Sequence, residues 1–127
     1  MLNFEKYADC LVPAVVQDAA TRVVLMVGFM SREALEKTTS GGLVTFFSRS
    51  RKTLWTKGET SGNFLKVSQI LFDCDEDTIL IKATPTGAVC HTGAETCFDE
   101  KNSFDSPLHE LERVILERKA NPTTDSY

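Results

Sequence analysis

The sequence predicts a β-rich α+β fold, with mixed or antiparallel sheets forming a barrel-like body and few short helices. Three observations predict it. The chain has 127 residues, the size of one domain with a single main core. Short apolar, β-branched runs separated by Gly, Asp and Ser clusters recur through most of it. Helical periodicity is sustained only near the end.

Leu11 to Gln17 and Arg22 to Met30 read as two strands around the turn Asp18-Ala19-Ala20-Thr21, a hairpin. Ser31 fits a helix N-cap with Glu33 in the first turn, and Gly41-Gly42 would stop that short helix. Leu43 to Phe47 is another strand. From Ser48 to Asn63 the chain turns polar, and it is expected to be a long charged loop. Phe64 to Phe72 and Thr78 to Thr84 read as paired strands flanking an acidic turn. A Gly- and Cys-bearing loop follows Thr86-Gly87 and runs to Phe98. Asp99 to Asp105 is a polar linker. Ser106-Pro107 then gives an N-cap with Pro at the first helical position, and Leu108, Leu111, Val114 and Ile115 recur at helical spacing until Asn121-Pro122.

Composition narrows the function. Apolar residues make up 42% of the chain, and 14 Lys+Arg against 18 Asp+Glu leave a net charge of −4. This is the balance of a globular protein, and it argues against a general nucleic-acid coat, which needs a basic surface to neutralise phosphates. Small-molecule partners are expected instead. The apolar run Val23 to Met30 is far short of the roughly 20 residues that span a bilayer. Met1 to Tyr7 lacks the basic and apolar regions of a signal peptide. A cytoplasmic location with reduced thiols is therefore expected. On that reading Cys10 is a buried, inert thiol, while Cys74, Cys90 and Cys97 need a chemical explanation.

The segment Asp73-Cys74-Asp75-Glu76-Asp77 follows the Phe64 to Phe72 strand. Alternation along a strand would put Asp73 and Asp75 on one face and Cys74 on the other, so that one motif serves two sites. Three carboxylates offer the hard oxygens that Mg²⁺ prefers, and a thiolate suits Zn²⁺. An alternative is a solvated hairpin turn rich in acids. Cys90-His91-Thr92-Gly93 and Cys97 lack the close Cys-x-x-Cys spacing of a structural zinc ribbon. Three thiolates and an open position is the count of a catalytic zinc, which lowers the pKa of its water toward ~7. His91 beside Cys90 is a candidate general acid or base; the alternative is a structural loop histidine. His109 is read as a surface or packing residue.

Arg49, Arg51, Lys52 and Lys57, with the hydroxyls of Ser48, Ser50, Thr60 and Ser61 and the flexible Gly58 and Gly62, have the composition of a phosphate site. Trp55 among them can stack on a base. A merely solvated loop would look similar.

Together, Phe-Phe-Ser-Arg-Ser-Arg (46–51), Leu-Trp-Thr-Lys-Gly-Glu-Thr-Ser-Gly (54–62), Asp-Cys-Asp-x-Asp (73–77) and Cys-His-Thr-Gly (90–93) with Cys97 closely resemble the phosphoribosyl-AMP cyclohydrolases of histidine biosynthesis. The resemblance runs from about Tyr7 to Phe98 and assigns residues 1–104 to that domain. It implies hydrolysis of the adenine N1–C6 bond of phosphoribosyl-AMP by an intertwined, zinc- and magnesium-dependent homodimer. It further implies Cys74, Cys90 and Cys97 as zinc ligands, with Cys74 from the other subunit, and Asp73, Asp75 and Asp77 as magnesium ligands. His91 would move protons, and Arg49, Arg51 and Lys57 would hold phosphates. Ser48, Ser50, Trp55, Gly58, Glu59, Thr60, Ser61 and Gly62 would complete the substrate site.

Residues 105–127 resemble the opening helix of phosphoribosyl-ATP pyrophosphatase, on Leu111 to Lys119 and Ser126-Tyr127. The acidic metal-binding helices of that second domain are absent here. The chain is thus read as the front part of a bifunctional enzyme, without pyrophosphatase activity. A non-catalytic zinc-binding interaction module is the competing reading, in which chelation unfolds the protein. A nucleobase-deaminase-type zinc hydrolase is disfavoured because its His/Cys-x-Glu and Pro-Cys-x-x-Cys arrangement is missing.

Overall fold

Residues 2–98, 103–104 and 107–120 are described by a computed structural model. Its centre is a four-stranded mixed sheet in the order β2-β1-β6-β5, formed by β1 (Val12–Asp18), β2 (Val24–Met30), β5 (Leu65–Phe72) and β6 (Ile79–Pro85). A second, two-stranded sheet pairs β3 (Thr45–Ser48) with β4 (Thr53–Thr56). One helix, α1 (Arg32–Gly41), connects β2 to β3, and a second, α2 (Pro107–Ala120), lies near the end of the chain.

Period-two patterning explains the two central strands. In β1, Val12, Ala14 and Val16 are fully buried, and in β6, Ile79, Ile81 and Ala83 are too. Each strand points every second side chain into one core. Full burial of a Val- or Ile-sized side chain stabilises the fold by about 1.5–3 kcal/mol. These two strands pair in parallel, Ala14 opposite Ile79 through Asp18 opposite Ala83. The expected β1–β2 hairpin is antiparallel, Val12 opposite Met30. Its turn is capped by the Asp18 carboxylate, which accepts from the backbone N–H groups of Ala20 (2.8 Å) and Thr21 (3.0 Å). The expected β5–β6 pair is antiparallel as well, with a register shift between Val67 and Gln69.

Helix α1 has the termini its sequence announces. The Ser31 hydroxyl accepts from Ala34 N–H, and Gly42, at φ +75°, closes the far end with its N–H on Thr38 O. The buried hydroxyl of Thr38 then ties the helix to β3. It donates toward Ala34 O (2.8 Å) and Thr45 O (3.1 Å) and accepts from Thr45 N–H (3.0 Å).

Three expectations are corrected. The body is not a closed barrel, because β2 and β5 remain the edges of an open sheet among the described residues. The polar stretch is not all loop, since Thr53-Leu54-Trp55-Thr56 forms β4 against β3. Its β-branched and aromatic residues favour a strand, and Trp55 pairs across from the fully buried Phe46, ring centroids 5.2 Å apart. Cys10 is exposed rather than buried. It sits at φ +58° in a tight turn that returns its N–H to Tyr7 O. A short 3₁₀ turn, Phe4–Lys6, was not foreseen either; buried Phe4 anchors it.

Pro107 does open α2, while Ser106, Asn121, Pro122, Ser126, Tyr127 and most of the linker lie outside the described residues, as does the His109 side chain. Leu108, Leu111 and Ile115 of α2 are exposed. No helix among the described residues is long and apolar enough to cross a membrane.

Candidate active site

The loop after β6 carries Cys90, His91 and Cys97, and two anchors place it. Val89, 2% exposed, plugs into the core immediately before Cys90. At the other end Cys97 N–H donates to Leu25 O (2.8 Å) and the Thr96 hydroxyl to Val24 O (2.7 Å), which fastens the loop to β2. Between them Gly93, at φ +91°, lets the chain fold back so that its N–H reaches Cys90 O and Cys90 N–H reaches Ala94 O.

This folding brings the Cys97 thiol beside Cys90, close enough for each to affect the ionisation of the other. The Thr92 hydroxyl donates to Cys90 Sγ at 3.2 Å, and this bond, with the Thr92 backbone, holds the Cys90 thiol below its ordinary range. The Cys97 thiol is pushed up, first by burial and then by the neighbouring Cys90 charge. Lys57 favours the charged form of both. His91 is exposed, its Nδ1 4.0 Å from Cys90 Sγ.

Cys90 and His91 open onto a cleft of about 440 Å³ whose opposite wall is the β4 end and the turn after it. Arg51, Trp55, Lys57, Gly58, Glu59, Thr60 and Ser61 line it. The turn is held from within: Lys57 N–H donates to Val44 O (3.0 Å), Glu59 N–H to Thr56 O (3.0 Å), and Thr56 N–H to the Glu59 carboxylate (3.3 Å). Nine residues from the polar stretch, Thr56 and Asn63 among them, thus meet a thiol and an imidazole that follow them by about thirty positions.

Other predicted residues lie elsewhere. Ser48, Arg49, Ser50 and Gly62 do not line this cleft. The Arg49 guanidinium lies over the Phe29 ring, 3.9 Å from its centroid, beside a separate depression formed with Tyr7, Asp9 and Pro13. Cys74 is exposed, and Cys74, Cys90 and Cys97 do not form a metal-sized group within one chain among the described residues.

The carboxylates of Asp73, Asp75 and Asp77 do converge, with an oxygen of each within 4.8 Å of the others. The means differ from the alternating strand that was expected, because β5 ends at Phe72 and the five residues form a turn. Asp73 organises it by accepting from Asp77 N–H (2.9 Å) and Thr78 N–H (3.0 Å), while Glu76 adopts φ +61°. Carboxylates on both sides of the reversal then face one point. Lys6 reaches that point from the 3₁₀ turn and donates to Asp77 and to Asp75 (3.2 Å). Those two partners, Asp77 foremost, raise its pKa. Sequence reasoning missed Lys6, whose only signal was a lone base near the chain start, and also Asn63, Ala88 and Val89 in the cleft wall.

Comparison with known proteins fits this geometry. Residues 26–99 match the family model described as phosphoribosyl-AMP cyclohydrolase. The chain is 50% identical over 129 residues to the histidine biosynthesis bifunctional protein HisIE of Vibrio vulnificus, covering 99% of this chain and 61% of that protein. It is 49% identical over 126 residues to the Escherichia coli protein of the same name, covering 99% and 62%. With the Bacteroides thetaiotaomicron protein the identity is 60% over 101 residues, 80% of this chain and 49% of the relative. The chain therefore spans about three fifths or less of the length of these relatives.

Proposed function

Because this chain belongs to the phosphoribosyl-AMP cyclohydrolase family, we propose that it opens the adenine ring of phosphoribosyl-AMP by hydrolysing the N1–C6 bond, a step of histidine biosynthesis. The observation that carries this reading is the meeting of Cys90 and His91 with Trp55, Lys57 and Arg51 across one cleft. A soft metal site, an acid/base group, an aromatic platform and cations for phosphate stand within one substrate's reach.

The donor set fits zinc. Two thiols lie together, and the hydrogen bonds that favour the Cys90 thiolate also favour a metal ligand. Cys90 and Cys97 would hold the ion, with Cys74 supplied by the second subunit of an intertwined homodimer. Such an arrangement accounts for Cys74 lying apart from the pair within one chain. When bound, zinc supplies a Lewis acid that makes water a nucleophile near neutral pH. Asp73, Asp75 and Asp77 would hold Mg²⁺ through hard oxygens. The assignment places residues 1–104 in the cyclohydrolase domain and 105–127 outside it.

The chain's own groups do the rest. Trp55 stacks on the heterocycle, and Lys57 and Arg51 bind phosphate oxygens, with Ser61 and Thr60 completing the contacts. Ser48, Arg49, Ser50 and Gly62 join the substrate site from positions outside this cleft. His91 accepts the proton that water loses as its oxygen bonds to C6, and returns it to N1 as the C6–N1 bond breaks. Attack at C6 is favoured because the ribosyl group on N1 leaves the ring electron-poor.

Ring opening changes the ultraviolet spectrum of the purine. Metal-replete protein mixed with phosphoribosyl-AMP is expected to change the absorbance with turnover. A static spectrum would overturn the reading and leave a non-catalytic zinc module in its place.

A further inference from the structure

Asn63 closes the polar stretch and lines the cleft with Trp55, Cys90 and His91. Two glycines from different parts of the chain make room for it. At Gly58, which has φ +95°, a Cβ would lie 2.4 Å from Asn63 O. At Gly87 a Cβ would lie 2.3 Å from Asn63 Oδ1 and 2.7 Å from its Cγ. Such distances are well inside van der Waals contact, so both positions need glycine for Asn63 to sit where it does.

The backbone on either side is also fixed. Phe64 N–H donates to the Thr86 hydroxyl (2.7 Å), Thr86 N–H donates to Phe64 O (2.9 Å), and Gly62 N–H donates to Gly58 O (2.7 Å). Within this frame the Asn63 amide makes no hydrogen bond to any of the described residues; among them its backbone N–H alone is engaged, by the Ser61 hydroxyl. Nor is the amide sealed off, since among the described residues no buried side-chain polar atom lacks a partner. A rigidly seated amide with free donor and acceptor, on the wall of a cleft, is arranged for a ligand.

An asparagine amide offers one acceptor and one donor side by side, which match the N6–H and N7 of an adenine. That edge is the one left to a substrate whose N1 carries a ribosyl group. We propose that Asn63 is a specificity residue that pairs with the N6/N7 edge of the adenine, and that Gly87 serves to aim it. The proposal rests on the cyclohydrolase reading of the same cleft. Because N6 is attached to C6, this pairing also sets the reacting carbon relative to His91 and the thiols.

The test uses metal-replete protein and two competing probes, 5′-AMP and 7-deaza-5′-AMP, in which a carbon replaces N7. Wild type is expected to bind AMP on the order of tenfold more tightly than the 7-deaza probe, the effect of one lost hydrogen bond to a positioned group. Asn63→Ala should bind the two alike, with zinc content and Tm unchanged. Gly87→Ala, whose new methyl would overlap the Asn63 amide and push it off its seat, should also lose the discrimination. In the double variant no further loss is expected. Discrimination retained in Asn63→Ala overturns the proposal, and so does a wild type that fails to discriminate. A wild type that discriminates but leaves phosphoribosyl-AMP unchanged would instead sink the cyclohydrolase reading and spare the amide.

Discussion

Lys6 donates to Asp77 across the acidic turn, so that an ammonium from the start of the chain stands among the three carboxylates. The contact is supported by a backbone bond from Asn3 N–H to Glu76 O (2.7 Å). Asp77 is 7% exposed, and opposite charges there attract more strongly than in water.

A divalent cation entering this cluster competes with that ammonium. Lys6→Ala is therefore expected to tighten Mg²⁺ binding on the order of tenfold, measured by calorimetry. Weaker binding in the variant would mean that Lys6 helps to build the site instead of occupying it.

His91→Ala should lower turnover of phosphoribosyl-AMP by roughly a hundredfold or more, the usual worth of a positioned acid/base. Zinc content, read by atomic absorption, should not change. Near-normal turnover with full zinc would remove His91 from the proton path.

Cys74→Ala and Cys97→Ala should each be inactive alone. If the zinc site is shared between subunits, unfolding and refolding the two together restores activity, to about a quarter of wild-type sites on random pairing. No recovery in refolded mixtures that contain heterodimers would count against a zinc site shared between subunits.

The Asp18 pKa is lowered from its ordinary 3.8, chiefly by the backbone N–H groups of Thr21 and Ala20. A depressed carboxylate contributes stability above the unfolded-state pKa and loses it as pH falls through the folded value. Asp18→Ala should thus have a lower Tm than wild type at neutral pH. Thermal melts in acid should show the gap closing below pH 3.8. A gap that persists unchanged there would mean the charge is not what caps the turn.

Thr38→Val keeps the shape but removes the hydroxyl between α1 and β3, leaving Thr45 N–H buried without its partner. Such a loss costs about 1–3 kcal/mol, measurable by urea unfolding. A neutral substitution would show that α1 holds β3 by packing alone.

Much of the fold was legible because local chemistry and tertiary structure agree. The Asp18 to Thr21 turn, the Ser31 cap and the Gly42 stop act within a few residues, and so a sequence displays them. β4 escaped because its partner is β3 and its neighbours are charged; only the short run Thr53-Leu54-Trp55-Thr56 betrays a strand, and pairing with the buried Phe46 decides it. The acidic triad was legible as composition, yet its geometry comes from the Asp73 carboxylate bonding the backbone of Asp77 and Thr78, which strand alternation does not describe. Lys6 and Asn63 were hidden for a common reason. Each gains its meaning from a contact with residues distant in the chain, Lys6 with Asp77 and Asn63 with Gly87.

The parallel pairing of β1 with β6 has a consequence for how the protein comes to exist. Ala14 pairs with Ile79, so the inner edge of β1 has no partner until the ribosome has released β6. The β1–β2 hairpin can form early, but it must then wait, with Val12, Ala14 and Val16 uncovered, while α1, both strands of the small sheet and β5 are synthesised. Among the described residues β6 is the last strand of this sheet to emerge, and it lands in the middle of the sheet. The nascent chain therefore commits its sheet in a single late step, and the interval before it is when a chaperone has most to shield.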